Sequence, residues 1–453
     1  MSKHLIILGA GISGLSAAWR ASENSIKVDV FESGFSVGGL AGTMRQGQYS
    51  LDVGPHSFFS DDQEIVNLVC NLFENKLQPT PRKVKFYYRG KYMDYPLTAH
   101  GVLFQMGPLA SIQAVGSFLK GKIFPKRRNF IAGEDETVED WAITNFGGYL
   151  YRTFFKPYTE QFWKVPCSEL SSRSIPTHTR MSFINTLKLL LHQKANKQGK
   201  SLIEREMRPT YYPDTGFVGI AEKIAKLIEK NHGQVHLGSE VTQVTQLPNG
   251  KMRIAYKCNG KKEEMEADQV ISTIPLSLLA KMFAPAFAPK ILASANKLEY
   301  RSLVVLGMLT QKQNILNCGY AYLLNRPFNR IFEMNEFSLK TSLPGENIIA
   351  VEIPCLSDSA IWKATKDELF NMCIASLAED GFIGPGDIKK LFLVKAQYAY
   401  PIYRKDYAVH LAQVRDYLKK YSSLATLGRC GEFMYMDIDE CMKRAFSLID
   451  NLG

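Results

Sequence analysis

The first forty residues constrain the fold more than any other part of the chain. Four apolar residues, Leu5 to Leu8, run into Gly9-Ala-Gly11-Ile-Ser-Gly14; Ile12, Leu15 and Trp19 then recur at helical spacing, and a second apolar run, Val28-Asp-Val-Phe31, follows. Strand, glycine turn, helix and strand make a βαβ unit, the seed of a parallel sheet with helices packed on it. Gly9, Gly11 and Gly14 let the backbone turn tightly, approach a pyrophosphate and present amides at a helix start, where the dipole favours an anion. Glu32 closes the second strand, placed to accept hydrogen bonds from a ribose diol and to repel a 2′-phosphate.

A second glycine cluster, Gly38-Gly39-Leu-Ala-Gly42-Thr43, comes six residues after Glu32. A second tight backbone suits the remaining pyrophosphate and ribityl chain of a longer dinucleotide, so FAD fits better than NAD. Val241, in an expected strand over 241–244, is assigned to the same cofactor site.

The chain has 453 residues, 45% hydrophobic and 22% charged, which excludes disordered and fibrous classes and leaves room for two or three domains. Lys and Arg number 55 against 44 Asp and Glu, a net +11 that favours anionic small molecules or lipid headgroups and is too diffuse for nucleic acid. Eight cysteines without a C-x-x-C pair give neither zinc spacing nor a disulfide framework, and point to a reducing cytoplasm. The run Leu5 to Leu8 is too short for a signal peptide.

Residues 101–119 are uncharged and long enough to span a bilayer, but Gln105, Pro108, Ser111, Gln113 and Ser117 argue for a buried or interfacial helix. Lys120, Lys122, Lys126, Arg127 and Arg128, interleaved with Phe118, Ile123, Phe124 and Phe130, suggest peripheral contact of residues 118–130 with an anionic membrane surface. A Lys- and Gln-rich helix with a solvated loop is expected over 186–208. Beyond it an amphipathic helix over 220–230, strands over 235–237 and 270–274, and a hairpin at Asn249-Gly250 restore the α/β pattern. Residues 302–352 alternate like an antiparallel sheet, and helices are expected over 366–380 and 437–452.

Glu32 with the Gly38-Gly39 pair resembles the flavoenzyme superfamily that contains amine oxidases, protoporphyrinogen oxidases and UDP-galactopyranose mutases, and later segments resemble the mutases in order. Gly54-Pro-His56-Ser-Phe58 is similar to a mutase loop whose histidine lies beside the flavin, and Pro157-Tyr158-Thr-Glu-Gln-Phe-Trp163 to a segment whose Tyr and Trp line the uridine and sugar site. Leu298-Glu-Tyr-Arg301-Ser-Leu303 and Arg330-Ile-Phe-Glu333 are similar to two further mutase segments. Gly428-Arg429-Cys-Gly431-Glu-Phe-Met-Tyr435-Met-Asp437 resembles the carboxy-terminal segment that returns to the flavin.

The resemblance implies an α/β protein with a Rossmann-type, glutathione-reductase-like FAD-binding domain drawn from residues 1–75, 209–275 and 400–453. An α+β substrate domain is interleaved, mostly helical over 76–208 and an antiparallel sheet over 276–399. His56 and Arg429 are the implied catalytic residues; Gly428, Arg429 and Asp437 join the glycines in holding FAD; Tyr158, Trp163, Arg301, Arg330 and Tyr435 are the implied substrate contacts. The implied activity is that of an FAD-dependent oxidoreductase or redox-neutral mutase acting on a sugar nucleotide or related ring compound. The alternative is an oxidase passing hydride to FAD and electrons on to oxygen. In the mutases two more arginines clamp the substrate diphosphate; the matching positions here hold His178 and Val351, with Arg173 and Arg180 near the first. That departure argues against UDP-galactopyranose itself and for another anionic or ring-shaped small molecule.

Overall fold

The computed structural model describes residues 3–81, 83–88, 90–94, 108–123, 134–175, 208–214 and 216–452. Strand His4–Leu8, helix Ile12–Glu23 and strand Lys27–Phe31 form the βαβ unit, with the strands parallel from His4 beside Lys27 to Leu8 beside Phe31. Strand Gln234–His236 extends the sheet beyond Lys27–Phe31, and Gln269–Ser272 and Leu424–Thr426 extend it on the other side, all parallel. Both faces of this sheet are covered, which is why Leu5 to Leu8 are apolar without alternation. Helices Ile12–Glu23, Gly219–Lys230 and Ile438–Asp450 pack with Ile7, Val28 and Val30 on one face. On the other, Ile6, Leu8 and Phe31 meet Val241, Ile254 and Tyr256 of a three-stranded antiparallel sheet built from Ser239–Gln246, Met252–Cys258 and Lys261–Ala267.

A seven-stranded sheet forms the second layer, in the order Ile388–Pro401, Tyr300–Thr310, Asn347–Cys355, Arg330–Glu333, Tyr320–Leu323, Val84–Tyr88, Lys91–Asp94. Alternation along its strands sorts side chains between two cores. Val304, Leu306, Ile349, Val351 and Ile353 pack with Leu369, Cys373 and Leu377 of helix Lys366–Glu379. Leu303, Val305, Ile348, Ala350 and Phe332 point the other way and share a core with Leu51 and the first helix. That second face is where charged groups gather.

The segment expected to be mostly helical supplies helices Pro108–Ile123, Val138–Leu150 and Lys156–Trp163, but it also supplies the strands Val84–Tyr88 and Lys91–Asp94. Their dense aromatics, Phe86, Tyr87 and Tyr92, suit a pleated surface. Among the described residues no helix is long and apolar enough to cross a membrane. His178, Arg180, the side chains of the basic run beyond Lys120, and the element expected over 186–208, apart from Arg208, lie outside the described residues.

Candidate functional site

The glycines of the first turn do different jobs. Gly9 has φ +100°, a conformation that L side chains rarely adopt. A Cβ on Gly14 would stand 2.0 Å from the Gly9 carbonyl oxygen, so the helix can rise this close to the strand only without a side chain there. Gly11 is the opposite case. It caps the helix in extended backbone, no side chain caps it, and a Cβ on it would meet nothing within 4 Å. A helix start whose first amides lack intrahelical acceptors therefore faces open space.

The second glycine cluster folds back onto the first. Gly38 N–H donates to the Ala10 carbonyl at 2.8 Å, Gly11 and Gly38 pair as a parallel bridge, and a Cβ on Gly39 would lie 3.3 Å from Gly11 Cα. Glu32 fastens the same turn, accepting from Ala10 N at 2.9 Å and Gly34 N at 2.8 Å. Ser33 Oγ also donates to Glu32 Oε1 at 3.3 Å, so of the carboxylate's roughly four lone-pair positions the one left for a ribose is on Oε2. Ser239 N donates to the Glu32 carbonyl at 2.8 Å, bringing the strand of Val241 to this edge, although the Val241 side chain is buried in the core beneath the three-stranded sheet.

Gly42 closes the second turn, its N–H donating to the Gly39 carbonyl at 3.0 Å. Thr43 is occupied: its hydroxyl donates to Asp52 Oδ1 at 2.5 Å and accepts from Val218 N at 3.0 Å. Asp52 also accepts from Tyr212 Oη at 2.8 Å and Phe217 N at 3.2 Å, and burial pushes its carboxyl up to about 6. From the far end of the chain, a Cβ on Gly428 would stand 2.3 Å from Ser13 Oγ, so the carboxy-terminal segment lies directly on the first turn of the first helix. Two glycine backbones in contact, an open helix start and a carboxylate at the end of the second strand fit a dinucleotide.

Opposite this cradle, the second face of the seven-stranded sheet holds two arginines and a glutamate. Arg330 is the Cα partner of Glu352 across neighbouring strands and forms an ion pair with it. Arg301 Nη2 lies 3.9 Å from the other Glu352 oxygen, and the side chains of Arg301 and Glu352 are both 0% exposed. The Arg301 guanidinium sits between the Phe162 and Tyr400 rings, 4.0 and 4.2 Å from their centroids, and donates to the Phe162 carbonyl at 2.9 Å. Burial lowers its pKa, yet two faces of π density and a carboxylate hold the cation there. Arg301 Nε and Nη2 and Arg330 Nε are buried without a hydrogen-bond partner. Buried cationic donors left without acceptors mark a place suited to an anion.

His56 reaches the cluster through a turn at Gly54, whose φ of +100° is a conformation that L side chains rarely adopt and whose backbone lies against Glu352. The imidazole stacks on Phe217, centroids 5.1 Å apart and planes 12° apart, with Nδ1 buried and without a partner. Burial first, then the charges of Arg330 and Arg429, hold it down to about 3, so at neutral pH the ring is uncharged. Arg429 donates Nη2 and Nε to the Met436 carbonyl at 2.6 and 3.2 Å, and its guanidinium lies 5.1 and 4.7 Å from the Tyr400 and Tyr435 centroids. Those two rings stack at 5.9 Å and 9°, and Tyr435 Oη donates to Asp437 Oδ1 at 3.1 Å.

An aromatic wall completes the arrangement. The Arg330 guanidinium is 5.8 Å from the centroids of both Tyr320 and Tyr322, and Tyr158 meets Tyr322 at 5.9 Å and Phe162 at 6.2 Å. Tyr158, Arg301, Arg330, His56, Arg429 and Tyr435 thus belong to one connected network. Trp163 stands behind it: 8% exposed, it packs edge-on against Phe162 and Tyr400.

Strand alternation also settles where a cation can stand near residue 351. Val351 faces the core under helix Lys366–Glu379, while Glu352 and Arg330 face the site. Glu352, Tyr320, Tyr322, Tyr400 and Phe217 are site neighbours that sequence reasoning did not single out. One signal was available for Glu352, the lone charge in the apolar strand Asn347–Cys355, since a charge there needs a partner.

Residues 12–379 match the profile of a family described as flavin containing amine oxidoreductase. The Klebsiella pneumoniae protein named "Probable UDP-galactopyranose mutase" is 27% identical over 172 residues, so the match spans 37% of this chain and 43% of that relative's length. Protoporphyrinogen oxidase of Dictyostelium discoideum is 22% identical over 394 residues, 73% of each chain. A crystal structure of reduced UDP-galactopyranose mutase superposes with a TM-score of 0.81 at 18% identity, covering 100% of this chain and 94% of its own, which shows a shared fold.

Proposed function

The chain belongs to the flavin-containing amine oxidoreductase family, whose members are FAD flavoenzymes, and from that premise we propose that it acts on an anionic ring compound, a sugar nucleotide or a close chemical relative. When bound, FAD supplies the two-electron chemistry. The chain's own residues supply binding, orientation and charge. In this reading the backbones of Gly11, Gly38 and Gly39 receive the pyrophosphate, Glu32 the ribose, and residues 1–75, 209–275 and 400–453 act together as the cofactor-binding part. Arg429, fixed by the Met436 carbonyl, sets a permanent positive charge beside the reacting ring. Neutral His56 orients substrate through a hydrogen bond without carrying a charge into the site. Tyr158 and Tyr322 offer ring faces to the substrate, with Trp163 backing them.

The single observation that carries this reading is Arg330, whose buried Nε is unpaired and whose guanidinium is flanked by Tyr320 and Tyr322. An aromatic slot closed by a guanidinium suits a planar or ring-shaped molecule with an anionic substituent. The test is a flavin spectral titration of oxidised and reduced protein with nucleotide sugars and amines, followed by anaerobic turnover of UDP-galactofuranose by the dithionite-reduced enzyme. Spectral shifts with nucleotide sugars, lost in Arg330→Met with FAD retained, support the proposal. Bleaching of oxidised flavin by amines or reduced tetrapyrroles, with oxygen uptake and no response to anionic sugars, refutes it in favour of the oxidase reading, which the match to protoporphyrinogen oxidase keeps in play.

A further inference from the structure

Helix Pro108–Ile123 is apolar on two sides. Its inner side is seated: Ala114 and Phe118 are buried with Phe86, Leu150 and Phe154, Tyr149 N donates to Ser117 Oγ at 2.9 Å, and a Cβ on Gly147 would lie 2.7 Å from the Phe118 backbone. Its outer side carries Leu109, Ile112, Val115 and Leu119, which are 71, 69, 37 and 52% exposed. At 100° per residue these four fall within one arc of the helix, opposite Ala114 and Phe118. Lone exposed apolar residues need no explanation, but four on successive turns of one helix form a patch of the kind that marks an interaction surface.

The charge around the patch selects the partner. From residue 95 to residue 133 the chain has no Asp or Glu, while Lys120, Lys122, Lys126, Arg127 and Arg128 follow the last exposed leucine. An apolar helix face followed along the chain by cations and no acids matches a surface that is oily within and anionic at its boundary. A neutral protein partner would explain the leucines but not the 39-residue stretch free of acids. We propose that this helix docks the protein on an anionic lipid bilayer, with Leu109, Ile112, Val115 and Leu119 entering the headgroup boundary and Lys120 meeting lipid phosphates. Docking there leaves the inner side of the helix against the cluster of Phe86 and Leu324, which Tyr158 and Tyr322 also contact, so the bilayer lies one helix away from the aromatic wall of the candidate site.

The experiment uses full-length FAD-loaded protein and sedimentation with vesicles of phosphatidylcholine alone or mixed equally with phosphatidylglycerol. Binding is expected to the mixed vesicles only, weakening as salt is raised. Replacing Lys120 and Lys122 by Gln should weaken partition about twenty-five-fold, fivefold for each cation at about 1 kcal/mol. Leu109→Ser, Ile112→Ser and Leu119→Ser combined should abolish sedimentation while FAD content and thermal unfolding stay unchanged; should that variant misfold, the lysine pair and the salt dependence still decide. Equal binding to both vesicles, no binding to either, or undiminished binding by the serine variant overturns the proposal. So does self-association of the unmodified protein that the same three serines dissolve, because a second copy would then cover the face.

Discussion

Two glycines within six residues of the same strand should fail in opposite ways. Gly14→Ala puts a methyl group 2.0 Å from the Gly9 carbonyl oxygen, about 1.4 Å inside the 3.4 Å where ordinary contact begins, with the Ile7 side chain at 3.2 Å as well. The obstacle is backbone just past the end of the sheet's central strand, so helix and strand must part, and overpacking of this severity costs about 3 kcal/mol or more. At Gly11→Val the Cβ meets nothing within 4 Å and the backbone is ordinary extended chain, so the expected cost is that of a poorer helix cap, about 1 kcal/mol. The methyls instead occupy the space in front of the helix start. Excluding one amide-to-phosphate hydrogen bond removes about 1.5 to 3 kcal/mol of FAD binding, roughly ten- to a hundred-fold in affinity. The assay pairs denaturant unfolding of apoprotein with FAD titration of the same sample. Gly11→Val should unfold near the wild-type midpoint yet bind FAD weakly and purify pale; Gly14→Ala should unfold early. Wild-type FAD affinity in Gly11→Val, or equal stability in the two variants, refutes the division of labour.

Glu352→Gln leaves Arg301 buried without a carboxylate and should lower unfolding free energy by about 3 to 5 kcal/mol, read from the denaturant midpoint; a loss under about 1 kcal/mol would mean the pair is not what holds Arg301. Arg429→Met should lower the flavin reduction potential, because a fixed cation favours the extra electron density of the reduced ring; an unchanged potential with FAD bound removes Arg429 from the flavin's surroundings. His56 is held down to about 3 against an unfolded value of about 6.5, so its contribution is present above pH 6.5 and is lost as pH falls toward 3. Apoprotein should therefore lose stability on acidification through that window more steeply than His56→Asn; parallel curves would count against the buried, neutral ring. Asp52, raised to about 6, changes stability in the opposite sense over part of the same range, but it is common to both proteins and cancels in the comparison.

What the sequence determined by itself is local. The βαβ unit, the parallel strands and both glycine clusters were legible because each depends on contiguous residues: a run of apolar side chains, a helical period, and backbone positions such as Gly9 and Gly14 where a side chain has no room. Tertiary structure alone decided which side chains meet. Val84–Tyr88 and Lys91–Asp94 became sheet because an edge strand was there to pair with. Thr43 spends its hydroxyl on Asp52 and Val218, and Trp163 backs the aromatic wall, outcomes set by neighbours far away in sequence. Residue 351 was the place to look for a cation by local pattern, yet cross-strand register turns Val351 into one core and sets Arg330 and Glu352 toward the other. Arg301 finds its acceptor at the Phe162 carbonyl, 139 positions away, and its carboxylate on another strand. The period of two along a strand is written in the sequence; which of its two faces becomes the site is fixed only when the sheet meets the nucleotide fold.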